Sequence, residues 1–145
     1  MLDQLLGCSS SAAAAKAEIA ALNTEIAAAL APVKDKGFVA YHDAYQYFVL
    51  HYDLNYRGAV AMGDASAAGA AHLREVQSTI ADGVVCVFPE AQHDAELLLQ
   101  LKDGTAAKAG EALDPAGTML NPSPASYVDV LRNLAASLTG CLSGA

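Results

Sequence analysis

Residues 37–54 read GFVAYHDAYQYFVLHYDL, and the change of pattern inside this stretch decides the fold. Gly37 to Tyr41 form a short, nearly continuous apolar run, which suits a strand buried on both faces better than a helix. After His42 and Asp43 the spacing changes: Tyr45, Phe48, Val49 and Tyr52 fall on one face of a helix of 3.6-residue period over 43–52. A histidine and an aspartate therefore stand where a buried strand gives way to a helix.

Working outward, three further runs look like strands. They are RGAVAM at 57–62, GVVCVF at 83–88 and AAKAGEAL at 106–113, the last being the weakest. Helical patterns fill the intervals at 66–82, 92–102 and 124–140. From Ser11 to Ala31 an alanine-rich amphipathic helix carries Ile19, Leu22, Ile26 and Leu30 on one stripe and ends before Pro32. Near-continuous apolar strands alternating with helices imply a parallel sheet covered on both faces and wound by right-handed crossovers. The expected class is α/β, a three-layer αβα domain with a four-stranded parallel sheet. There is no internal repeat.

At 145 residues the chain holds one domain of ordinary size. Its net charge of -8, with no basic stripe, excludes a nucleic-acid partner, since a phosphate backbone is bound through clustered Lys and Arg. No apolar run approaches the ~18–20 residues of a membrane span. Leu5-Leu6-Gly7-Cys8 resembles a lipoprotein lipid-attachment box, but the residues before it lack a basic n-region and include Asp3. Residues 1–11 are expected to be disordered or of artificial origin.

In open parallel sheets, ligands bind outside the carboxyl ends of the strands. His42 follows the first strand, and Asp114 follows the fourth in EALDPAGT, where Pro115 keeps Asp114 extended. An imidazole nitrogen and a carboxylate oxygen at one edge suit zinc, which takes N, S and O donors. Strand-end polar residues are common, so spacing alone leaves the ordinary surface reading of His42 open.

LAPVKDKG, GFVAYHDAYQYF, VVCVFPEAQH, EALDPAGT and SYVDVLRNLAASLTGCL, in this order and spacing, resemble the C-terminal lobe of ZnuA-like solute-binding proteins of zinc-uptake ABC transporters, over about residues 12–142. The resemblance implies two α/β lobes joined by a long helix with the metal between them. Residues 12–33 would then be part of that connector and 34–145 the C-terminal metal-binding lobe. It implies zinc ligation by His42 and Asp114, and His42 favours zinc because manganese-binding relatives usually carry glutamate there. It also implies a Cys86–Cys141 disulfide, a periplasmic location suited to that bond, delivery to an ABC permease, and no enzymatic activity. Cys8 is left unpaired.

The departures are informative. The family's other lobe supplies two further histidines, so the present chain is expected to hold half a site, to bind Zn²⁺ weakly, and to expose a face suited to forming a homodimer. In FPEAQHD, Pro89 precedes Glu90, and His93 takes the place of the family's aromatic residue. Asp43, Glu90 and His93 stand as further candidates: Asp43 as a helix N-cap or as a carboxylate orienting His42, Glu90 and His93 as reserve ligands, with His93 read first as a cap or rim residue. His51 and His72 lack a partner at helical spacing and are expected to be solvated, while Tyr41, Tyr45 and Tyr47 are read as packing or rim residues. There is no glycine-rich phosphate loop, no Cys-x-x-Cys pair and no nucleophile turn. The competing reading is a stand-alone α/β interaction domain that kept the fold without high-affinity metal binding.

Overall fold

The apolar run at Gly37 becomes the strand around which the sheet is built. The computed structural model describes residues 2–63 and 68–144, with side chains from residue 11 onward. Strand β1 (Gly37–His42) pairs in parallel with β2 (Tyr56–Ala61) on one side and with β3 (Val84–Phe88) on the other. The fourth strand, β4 (Lys108–Ala109), pairs in parallel with β3 and completes the order β2-β1-β3-β4. Of the expected 106–113 run only two residues form a strand, because Gly110 and the exposed Glu111 interrupt the apolar pattern after it. The sheet edge nevertheless resumes at an isolated parallel bridge between Glu90 and Leu113.

Helices cover both faces. The first, α1 (Leu2–Leu30), starts ahead of Ser11, so residues 2–11, expected to lack order, are its opening turns: Leu2, Leu5 and Leu6 are good helix formers and no proline interrupts them. Leu22, Ile26 and Leu30 of α1 pack with Leu134 and Leu138 of α5 (Ser126–Leu142) against Phe38, Ala40, Cys86 and Phe88. The opposite face buries Val39, Val60 and Val87 under Val76 and Ile80 of α3 (Ala70–Ala81) and Leu98 of α4 (Glu96–Lys102). Alternate residues of β1 thus feed two cores, which is why the run has no polar face. The short α2 (Gln46–Tyr52) leans Phe48, Val49 and Tyr52 on the first core. At Gly83 the chain turns from α3 into β3 with φ 82, a left-handed conformation that glycine adopts without steric cost.

Cys86 and Cys141 form a disulfide that ties the centre of β3 to the last turn of α5. Cys8 has its side chain outside the described residues. Among the described residues no helix is long and apolar enough to cross a membrane.

Candidate metal site

His42 is the last residue of β1, in register with Ala61 of β2. The neighbouring strand β3 ends at Phe88, and the chain continues through Pro89 to Glu90, whose bridge to Leu113 is framed by Leu113 N–H donating to Pro89 C=O (2.8 Å) and Ala91 N–H donating to Leu113 C=O (2.9 Å). A turn follows, closed by His93 N–H donating to Glu90 C=O at 3.1 Å, and it folds His93 back over the same edge. Three strand ends, β1, β3 and the resumed edge at Leu113, therefore deliver their next polar residues to one side of the sheet, as parallel topology requires.

His42, Glu90 and His93 meet there, with one donor atom from each within 4.8 Å of the others. Glu90 Oε1 lies 3.4 Å from His42 Nδ1 and 3.4 Å from His93 Nε2. The two side chains of the β1–β3 contact are well covered, at 16% exposure for His42 and 5% for Glu90, while His93 is more open at 30%. A carboxylate this deeply buried demands compensation. Tyr45, also buried, gives part of it by donating its hydroxyl to Glu90 Oε2 at 2.8 Å. Burial pushes the Tyr45 phenol far above its ordinary range, and the hydrogen bond and charge of Glu90 push it further, so it remains a donor at every physiological pH. The Tyr41 ring stacks on His93, with centroids 4.8 Å apart, and fixes that imidazole from outside.

His93, expected as a cap or rim residue, belongs to this cluster while 30% of its side chain stays exposed. Its ring stacks on Tyr41 and faces Glu90, while Asp94, one residue ahead of the α4 N-cap Ala95, accepts the Glu96 N–H at 2.9 Å. Nor does Asp43 cap a helix: α2 begins only at Gln46, and the exposed Asp43 instead accepts the Tyr56 hydroxyl at 3.1 Å. Burial raises the Tyr56 phenol, and the charge and hydrogen bond of Asp43 add to it. Tyr45 is more than packing, since it holds a site carboxylate.

Asp114 lies outside the three-donor cluster. It follows Leu113 on the same edge, but its carboxylate serves its own turn: Oδ1 accepts the Thr118 N–H and hydroxyl, each at 3.0 Å, and Oδ2 accepts the Met119 N–H at 2.8 Å. Partial burial raises its pKa, and the hydrogen bonds from Met119, Thr118 and Gly117 outweigh that and leave it below the ordinary aspartate value. With about four acceptor positions on a carboxylate, room for a cation on Asp114 remains. His51 is exposed beside Tyr52. His72, expected to be solvated, is half-buried and donates from Nε2 to the Ala59 carbonyl at 2.9 Å, because α3 packs against β2 there.

The strand-end rule that singled out His42 applies equally to Glu90 and His93, an i, i+3 pair directly after the GVVCVF run, and that was the signal for them. Two imidazoles and a carboxylate are a donor set for zinc, and carboxylate-rich oxygen sites suit manganese or calcium instead.

Solved structures with the same fold are two-fold longer. The laminin binding protein Lmb of Streptococcus agalactiae, described as an adhesin with metal transporting activity, matches with a TM-score of 0.77 at 22% identity, over 90% of this chain and 51% of that one. The periplasmic zinc binding protein TroA of Treponema pallidum matches with a TM-score of 0.76 at 21% identity, over 89% and 50%. These likenesses show the fold: an α/β domain matching about half of each of those chains. Sequence relatives narrow it further. The high-affinity zinc uptake system protein ZnuA of Paracoccus denitrificans is 46% identical over 132 residues, 90% of this chain and 40% of that protein. ZnuA of Brucella suis is 43% identical over 124 residues, 85% and 37%. Residues 8–141 match the family described as zinc-uptake complex component A, periplasmic, and the chain belongs to that family. It spans about two fifths of the length of these curated relatives.

Proposed function

We propose that this chain is the zinc-holding C-terminal lobe of a periplasmic solute-binding protein that captures Zn²⁺ and hands it to an ABC permease. The observation that carries the proposal is the meeting of His42, Glu90 and His93 at the carboxyl ends of adjacent strands. Capture is binding without chemistry, and the site accordingly offers ligand atoms with no nucleophile among them. Transport also needs release. Three donors on one rigid edge leave at least one corner of a four-coordinate ion to water or to a group from elsewhere, so withdrawing that outside group weakens the hold. Asp114, on the same edge, would serve as a further ligand once a cation draws it from its turn. For the chain by itself we place the affinity in the micromolar range or weaker, since a closed cage is lacking.

Calorimetric titration with Zn²⁺ at neutral pH tests this. The wild type should bind one ion, His42→Ala should abolish binding, and Asp114→Ala should weaken it. An absence of zinc binding by the wild type, or binding indifferent to His42→Ala, would refute the proposal.

A further inference from the structure

Glu90 is held asymmetrically. One oxygen, Oε2, accepts the Tyr45 hydroxyl at 2.8 Å, and the other, Oε1, stands 3.4 Å from a nitrogen of each imidazole. At 3.4 Å those contacts are long for N–H···O hydrogen bonds. They do match another geometry: donors bound at ~2.0–2.1 Å to a tetrahedral zinc stand ~3.4 Å from one another. Oε1, His42 Nδ1 and His93 Nε2 are thus spaced, along the two edges that meet at Oε1, like three corners of a zinc tetrahedron.

We infer that Tyr45 is a specificity-determining residue: its hydrogen bond takes one of the two acceptor positions of Oε2 and holds Oε1 toward the imidazoles, so that ligation through Oε1 alone, and with it four-coordinate zinc, is favoured over manganese, which takes more oxygen ligands. The inference rests on the zinc-binding reading above and adds the control of how many oxygens Glu90 offers. Tyr45 touches the ligand and not the ion, so it acts by positioning. Its own placement is firm. The residue is 5% exposed, belongs to the core formed with α1 and α5, and lies three positions after His42, so the turn that ends β1 delivers a ligand and the residue that positions its neighbour together. Hydrogen-bond partners that fix a metal-ligating carboxylate commonly govern metal affinity ~10–100-fold. A carboxylate released from such a partner can swing to offer both oxygens, the arrangement that larger, oxygen-preferring cations accept.

The test uses the 145-residue chain, with Tyr45→Phe, which keeps the ring and removes only the hydroxyl, and Glu90→Gln. Zn²⁺ and Mn²⁺ affinities are measured by competition, and Co²⁺ is used as a probe of coordination by its visible absorption. The wild type should give the intense bands of tetrahedral Co²⁺. Tyr45→Phe should lose at least ~10-fold of the zinc-over-manganese preference and give the weak bands of five- or six-coordinate Co²⁺, with its far-UV circular dichroism unchanged. In a Glu90→Gln background Tyr45→Phe should have no further effect. If Tyr45→Phe leaves the preference and the Co²⁺ spectrum as they are, or acts equally in the Glu90→Gln background, the inference fails while zinc capture stands. If the wild type binds neither Zn²⁺ nor Co²⁺, both fail.

Discussion

Removing the Cys86–Cys141 crosslink should lower stability by an amount that the structure fixes. The bond joins residues 55 apart in sequence. Restoring the entropy of that loop to the unfolded chain costs about 4 kcal/mol. A 145-residue chain lies between the size classes in which 1 kcal/mol moves Tm by about 4–8 °C and about 2–4 °C, so Tm should fall by roughly 12–16 °C. The perturbation is made twice, as Cys86→Ala/Cys141→Ala and as the wild type unfolded and refolded in excess thiol reductant. Cys86 is wholly buried between the sheet and α5, so the alanine variant carries an added cavity cost and the reduced wild type does not. Their difference separates packing from crosslinking. Thermal melts followed by circular dichroism give Tm, and urea titrations give the slope, which should rise because an uncrosslinked unfolded chain exposes more surface. A fall in Tm of less than about 4 °C in both, with an unchanged urea slope, would refute the chain-entropy reasoning.

Folding should not depend on metal, because two apolar cores hold the sheet without help from His42, Glu90 or His93; a melt in chelator should remain cooperative, and its disappearance would mark zinc as structural. His93→Ala should weaken zinc binding about 10-fold or more in calorimetry while leaving Tm nearly unchanged, and an unaltered affinity would remove His93 from the ligand set. Zinc affinity should fall on acidification, since ligation needs unprotonated imidazoles, and a pH-independent titration would argue against histidine ligands. Asp114 has its pKa lowered below 3.8, so its contribution to stability is present above that value and is lost as pH falls through the lower folded value; Asp114→Asn should flatten the acid limb of the urea midpoint against pH, and an unchanged limb would remove Asp114 as its source. Gly110→Ala would drive its Cβ into the buried Phe88 ring beside β4 and should destabilise by about 1–3 kcal/mol in urea, whereas a neutral result would show that this edge can yield.

By itself the sequence determined what local pattern and strand burial dictate. The five-residue run from Gly37 suits a doubly buried strand better than a helix, GVVCVF likewise, and the helix stripe of Leu22, Ile26 and Leu30 follows from 3.6-residue spacing. His42 was legible because a polar residue directly after a buried strand must emerge at the ligand-binding edge. The fourth strand was legible only in part, since Lys108–Ala109 is held by pairing with Cys86 and Val87 and not by its own pattern. Tertiary structure alone decided which strand ends are neighbours. The order β2-β1-β3-β4 sets β3 beside β1, and so puts Glu90 and His93 across from His42 although some fifty residues of sequence lie between them. Likewise the buried Tyr45, which sequence could assign only to packing, acquires its role from a carboxylate that a different strand brings within 2.8 Å. Side-chain direction after a turn depends on hydrogen bonds such as Glu90–Leu113 pairing and the His93-to-Glu90 closure, and those bonds form between segments whose meeting no local pattern records.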